Sequence, residues 1–292
     1  MTHALLGWAT ALYLAAAPAV QLNVQIDSAR FAVLHEYEDG WALAPKGMKL
    51  LILRYTVSNR ANYPVEYSRE SVSLAVTESS GLLTSSLSPA GLAENHFLDL
   101  RPGQSASDTI WIEVPAAMRD PRVRLRAGQS DTTTAIGKLI RPERGSYFAP
   151  DGYTVMDELP GKIGQPTAFG TWTLRVNAVE NDVPSKSHLI VKATKHRLMS
   201  FSLEFANAIR TDQIFDASAL NAILVGADGK TINWNRFLLN AEGTDTITST
   251  IRRGKRANAR IYFSLPPGFE AASLRMEDPS SGRTVIYRLA AS

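Results

Sequence analysis

Leu100-Arg101-Pro102-Gly103-Gln104-Ser105-Ala106-Ser107-Asp108-Thr109-Ile110-Trp111-Ile112-Glu113-Val114-Pro115 is written a second time, 151 positions later, as Ile251-Arg252-Arg253-Gly254-Lys255-Arg256-Ala257-Asn258-Ala259-Arg260-Ile261-Tyr262-Phe263-Ser264-Leu265-Pro266. Arg101/Arg252, Gly103/Gly254, Ala106/Ala257, Ile110/Ile261 and Pro115/Pro266 coincide, and Trp111/Tyr262 and Val114/Leu265 are conservative exchanges. Upstream, at a shift of 148, Leu51, Leu53, Tyr55, Val57 and Asn59 fall on Met199, Phe201, Leu203, Phe205 and Asn207, and Gly81 falls on Gly229. Three residues inserted between Gly229 and Ile251 reconcile the two offsets, as a surface loop tolerates. Self-similarity on this scale sets the architecture before any single residue does, and predicts two copies of one domain.

The period inside each copy is two. Ile110, Ile112 and Val114 alternate with Trp111 and Glu113; Trp172, Leu174 and Val176 alternate with Thr173, Arg175 and Asn177. Successive side chains of a strand point to opposite faces, so this pattern marks half-buried antiparallel strands, and two packed sheets are the stable way to cover their apolar faces. Asp228-Gly229 between two apolar runs predicts a hairpin, with Ser80-Gly81 its counterpart. Pro115 and Pro266 end their strands because proline gives no N–H to the ladder. The fold expected is all-β: two tandem immunoglobulin-like antiparallel sandwiches over residues 21–139 and 167–290, joined by a Pro/Gly-rich linker over 140–166 whose Tyr147, Phe148 and Tyr153 are apolar enough to pack at the junction.

The chain is 292 residues long with no cysteine, which leaves neither a disulfide framework nor a zinc–thiolate site. Ala4 to Ala17 is an uncharged, mostly apolar run followed by Ala17-Pro18-Ala19. That small-x-small pattern predicts a signal peptide over 1–19 with cleavage after Ala19; the run is shorter than the roughly 20 apolar residues of a membrane span, so no anchor is expected to remain. Residues 1–167 carry 15 basic and 17 acidic side chains, and residues 168–292 carry 16 and 11. A net charge of +3 falls well short of a nucleic-acid binder.

Gly164-Gln165-Pro166-Thr167-Ala168-Phe169-Gly170-Thr171-Trp172-Thr173-Leu174-Arg175-Val176, the long strands Leu53 to Asn59 and Phe201 to Asn207, and the two copies of the opening stretch together resemble a group of secreted immunoglobulin-like domains of unknown function, similar to the mycobacterial immunoprotective extracellular antigen. Both copies match the last two elements, and the second alone matches the first well. The resemblance implies an exported β-sandwich and carries no catalytic residues.

Candidate sites follow from residue type and spacing. Arg252, Arg253, Lys255, Arg256 and Arg260 are the one dense charge cluster in the sequence. They read first as a solvated hairpin whose cations blunt a sheet edge, with an anionic glycan, headgroup or polymer as the alternative ligand. Trp111 and Tyr262 fall on the strand face opposite the core in both copies, where they serve a domain contact or a sugar-stacking platform together with Trp41, Trp172 and Trp234. Arg122, Arg124 and Arg126 form a stripe that acids across the strand or an acidic partner would neutralise. His35, Tyr37 and Asp39 share a strand face; His188 and His196 have no recognised metal spacing. No Gly-x-Ser-x-Gly elbow marks a nucleophile, and Glu36/Glu38 and Asp157/Glu158 read as solvated surface. The function expected is an exported, non-catalytic binding or scaffold protein acting through protein contacts, with no cofactor, metal or nucleic-acid partner. A carbohydrate- or anionic-polymer-binding module is the first alternative, and a hydrolase with an unrecognised site the second. A pilus-chaperone reading is set aside for want of that family's strand signatures around the basic residues.

Overall fold

A computed structural model describes residues 22–38, 40–68, 72–77, 83–87, 98–127 and 130–289. The expected signal peptide, the Ser80-Gly81 turn and Asp39 lie outside the described residues. The first half comprises β1 (Leu22–Ala32), β2 (Leu34–Tyr37), β3 (Gly40–Leu43), β4 (Met48–Asn59), β5 (Val65–Tyr67), β6 (Val72–Thr77), β7 (Leu83–Leu87), β8 (Leu98–Leu100), β9 (Ser105–Pro115), β10 (Arg122–Ala127) and β11 (Ser130–Ala135). The second comprises β12 (Glu158–Gly161), β13 (Thr167–Phe169), β14 (Trp172–Asn181), β15 (Arg197–Asn207), β16 (Gln213–Phe215), β17 (Asn221–Gly226), β18 (Thr231–Asn233), β19 (Leu239–Asn240), β20 (Ser249–Ile251), β21 (Arg256–Leu265), β22 (Ala271–Glu277) and β23 (Thr284–Arg288).

The protein is all-β, and each sheet draws its strands from one half. In the first, β1-β4-β9 faces β11-β10-β6-β7; in the second, β13-β14-β15-β21-β19 faces β12-β23-β22-β17-β18. The alternation read from the sequence is what fills the gap between sheets. Leu51, Leu53, Tyr55, Val57, Ile110 and Ile112 point into one core, and Phe201, Leu203, Phe205, Ile261 and Phe263 into the other.

The correspondence reaches single hydrogen bonds. Both long pairings carry a bulge in the same place, between Ile26 and Ser28 against β4 and between Val176 and Ala178 against β15. Asn59 is 1 % exposed and donates through Nδ2 to Tyr63 O (2.8 Å) and Leu100 O (2.7 Å), while its Oδ1 accepts from Ala61 N. Asn207 does the same to Thr211 O and Ile251 O (2.8 Å each), and accepts from Ile209 N. The turns of the repeated stretch close alike, Gln104 N on Arg101 O and Lys255 N on Arg252 O (2.9 Å each), with Gly103 and Gly254 at φ of 78° and 67°. That left-handed conformation favours glycine. The Asp228-Gly229 hairpin forms as expected, joining β17 to β18 with Gly229 at φ 80°.

One expectation is corrected. Residues 158–161, placed in the linker, are a strand: β12 runs parallel to β23, pairing Leu159 with Val285 and Gly161 with Tyr287. The Pro160 ring sits on an outer strand, where the lost N–H costs the sheet nothing.

Candidate functional site

The outer faces of the large sheets come first, because Trp111 and Tyr262 sit there. Neither is exposed, so neither ring is open for a sugar to stack on. Trp111 is 9 % exposed under the β2–β3 hairpin, its ring stacked on Tyr37 (4.8 Å between centroids, 23° between planes) and met edge-on by His35 (5.1 Å). Ala32, Ala44, Leu50 and Ile52 complete this small core. Tyr262 is 2 % exposed and packs with Ile190, Leu198 and Leu239 under segments of its own half. In each half the outward aromatic is thus covered by segments of that same half. Trp172 and Trp234 belong to the second core, leaving Trp41 half-buried. Burial lowers the His35 pKa, with the Arg30 charge adding to the effect.

The five basic residues do not converge. Arg256 pairs with Glu204 (3.1 Å), which also meets Arg175 (3.7 Å). Arg260 lies half-buried against Glu180 (2.5 Å) with Ser200 beside it, and that guanidinium is the first cause holding the Glu180 carboxyl below its usual range. Arg252, Arg253 and Lys255 remain exposed on one turn, with no ion pair among the described residues. The arginine stripe is answered across the strand: Asp131 takes Arg124 (2.5 Å) and Arg126 (3.2 Å), and the Arg124 hydrogen bond leads in pulling its pKa far down.

His188 is exposed, and His196 Nδ1 lies 3.1 Å from Ser264 Oγ with no carboxylate bonded to the ring among the described residues. Among those residues no three of His, Asp and Glu come together as metal ligands, and no helix is long and apolar enough to cross a membrane.

The densest buried chemistry is at the junction of the halves, and it begins with a six-residue turn. Between β22 and β23, the Asp278 carboxylate accepts from the N–H and hydroxyl of both Ser280 and Ser281, and Asp278 N donates to Arg283 O (2.9 Å). A short acceptor folding the chain back on its own amides is the mechanism of an Asx turn. It projects Arg283, 2 % exposed, into the first half, where the guanidinium donates to the carbonyls of Ala44, Pro45 (3.0 Å) and Met48 (2.5 Å). Lys46 N donates back to Ser281 O (2.7 Å). Asp157 accepts from Gly47 N (2.9 Å) and lies 3.6 Å from Arg283 Nε. Burial lowers the Arg283 pKa, an effect opposed first by Asp157.

The segment between the halves wedges in beside this. Tyr147 and Val155 enter the second core, Phe148 touches both cores, and Val33 of the first half, 3 % exposed, packs into the second core. The Tyr147 hydroxyl accepts from Gly170 N (2.7 Å), and burial pushes its pKa up to about 12. Gly170 has φ 59°, and a Cβ there would stand 2.4 Å from the Asp278 carboxylate, so both backbone and space require glycine. Lys49 is wholly buried: its ammonium donates to Met118 O and Tyr153 O and sits 3.6 Å from the Phe31 ring centroid. On the rim, Glu36 of the β2–β3 hairpin accepts from Arg210 N (2.5 Å). The sequence had marked Asp157 and Glu36 only as solvated acids, and had not singled out Arg283 or Lys49. A lone cation carries no periodic signal.

No protein-family model and no curated protein sequence matches the chain. Among solved structures it is similar to an uncharacterised β-sandwich protein from Clostridium difficile (15% identity, TM-score 0.34, covering 46% of this chain and 96% of that one). It is also similar to MPT63, a secreted protein of Mycobacterium tuberculosis (18% identity, TM-score 0.33, 45% and 98%), and to the exo-chitosanase CsxA of Amycolatopsis orientalis (10% identity, TM-score 0.22, 81% and 25%). Likenesses this distant carry no argument about activity.

Proposed function

We propose that this is an exported, non-catalytic scaffold or binding protein of the cell envelope or extracellular space, built from two tandem copies of one immunoglobulin-like domain and acting through protein contacts. The observation that carries the reading is the junction. Buried Arg283 donates to three carbonyls of the other half, Asp157 accepts from Gly47 N, and Lys46 N donates to Ser281 O. Two sandwiches joined only by a tether would keep a small, polar interface and move against one another; a buried charge bonded across the contact fixes their spacing, which suits a protein that presents surfaces at a set distance. The basic turn favours a second reading, binding of an anionic polymer by Arg252, Arg253 and Lys255, because these three cations are exposed and without an ion pair among the described residues.

Purified residues 20–292 screened against envelope proteins, glycans and cell-wall polymers separate the two. Protein contacts predict saturable binding to a protein that survives Arg253→Glu/Lys255→Glu. The polymer reading predicts binding that falls steeply with salt and disappears in that variant. Turnover of any screened glycan by the wild type would sink the non-catalytic reading.

A further inference from the structure

The two sandwiches differ at one flank. In the second, the outer edges of β14 and β23 are both occupied by the residues just before β14. There β13 pairs antiparallel with β14, Gly164 N donates to Val176 O (2.7 Å), and β12 pairs parallel with β23. Leu159 and Phe169, each 2 % exposed, close the core beside Tyr287.

In the first sandwich β1 and β11 hold the corresponding places. Leu22 pairs with Asn59 as Trp172 pairs with Asn207, and Thr134 stands opposite Val123 as Tyr287 stands opposite Leu274. Ile140 bridges the outer edge of β1 at Ala29 only. Among the described residues, the edge from Leu22 to Ile26 and the outer edge of β11 have no further strand partner. Between them runs a groove of about 400 Å³ lined by apolar Val24, Ile26 and Leu125 and by polar Arg60, Thr132 and Thr134, among others. Arg60 makes no ion pair among the described residues.

We infer that this flank is a strand-addition site, taking an extended acidic segment of a partner protein laid antiparallel to β1 and parallel to β11, as residues 158–169 lie in the second sandwich. The inference deepens the protein-contact reading and rests on it. In the second sandwich the twelve residues 158–169 fill the corresponding flank. An open edge presents unpaired N–H and C=O groups whose natural complement is another strand, main-chain bonds supplying affinity and the pockets between them selectivity. Threonine stands at the place of the buried Tyr287 ring, so the outer edge of β11 carries hydroxyls where the second sandwich carries an aromatic. Arg60, at the Asn59 end, selects a carboxylate there.

The test uses the chain from Val20 onward with two probes. In one, residues 158–171 are fused directly ahead of Leu22, which places them at an effective concentration on the order of millimolar. In the other, a synthetic peptide of residues 158–169 carrying Phe169→Asp is added in trans at millimolar concentration. Hydrogen exchange read by mass spectrometry is expected to slow at least tenfold over 22–26 and 130–135 in the fusion. The fusion is expected to abolish binding of the free peptide, and Arg60→Glu to weaken that binding at least fivefold while leaving the protection in the fusion intact. Unchanged exchange in the fusion overturns the inference, as does peptide binding indifferent to both the fusion and Arg60→Glu, or a groove that binds cellohexaose in place of the peptide. The exported reading fails separately, if the intact mass of the protein recovered from its cells still includes residues 1–19.

Discussion

Replacing Arg283 by Met keeps much of the side-chain volume and removes every bond the guanidinium makes across the junction. Three carbonyls lose a donor. Pro45 is exposed, so its carbonyl turns to water, but Ala44 is fully buried and Met48 partly so. Each stranded acceptor costs about 1–3 kcal/mol, and two of them give about 3 kcal/mol, in line with the roughly 3–5 kcal/mol lost when one partner of a buried charge network is removed. Relief of the desolvated guanidinium offsets part of this. The penalty falls on the contact rather than on either core, so the expected result is loss of coupling. The wild type should melt in one calorimetric transition. Arg283→Met should show two, the lower one reduced by about 6–12 °C at the usual 2–4 °C per kcal/mol for chains of this size, and small-angle scattering should broaden as the halves move apart. A single unshifted transition with unchanged scattering would refute the claim that Arg283 locks the halves, and with it the ground for the scaffold reading.

Asn59→Ala and Asn207→Ala each strand two carbonyls and one amide, and each is expected to cost about 2–4 kcal/mol in urea denaturation; a loss under about 1 kcal/mol at either site contradicts the equivalence of the two turns. The Asp151 carboxyl is held down at about 2, first by the Thr154 and Tyr153 amides and then by the Thr154 hydroxyl. A folded-state pKa depressed below the unfolded value of about 3.9 contributes stability that is present above that value and lost as pH falls toward 2. The acid unfolding profile of Asp151→Asn should therefore be flatter than that of the wild type between pH 4 and 2; parallel profiles would rule the contribution out.

The strands were legible because the apolar residues repeat at period two and the pattern occurs twice. Leu51 to Asn59 and Met199 to Asn207 point as their alternation says, and Gly103 and Gly254 turn where a glycine was needed. What lay on the outer faces was not legible. Alternation places Trp111 and Tyr262 opposite the core, but it is blind to a second layer laid over that face by the β2–β3 hairpin or by residues near Ile190 and Leu239, because such covers are short and carry little periodicity of their own. Arg283 was missed for a related reason. Its meaning comes from carbonyls 235 to 239 residues away, and long-range pairing leaves no mark in local sequence. Spacing put five cations together in the basic cluster but could not show that cross-strand Glu204 and Glu180 pair with Arg256 and Arg260.

The two halves agree where the fold needs them to and part where it does not. Asn59 and Asn207 keep the same three bonds, since losing any one strands a backbone group inside the sandwich. Thr134 against Tyr287, Gln104 against Lys255 and Arg60 against Ala208 differ in size and charge at the edges and turns, where a substitution costs little stability and changes what a partner meets. If one half is to face another protein and the other half is to close against its own chain, the difference must be written at such positions. The filled flank beside β23 and, among the described residues, the unfilled groove beside β11 are that difference, and it is there that the inferred strand addition distinguishes the first sandwich from the second.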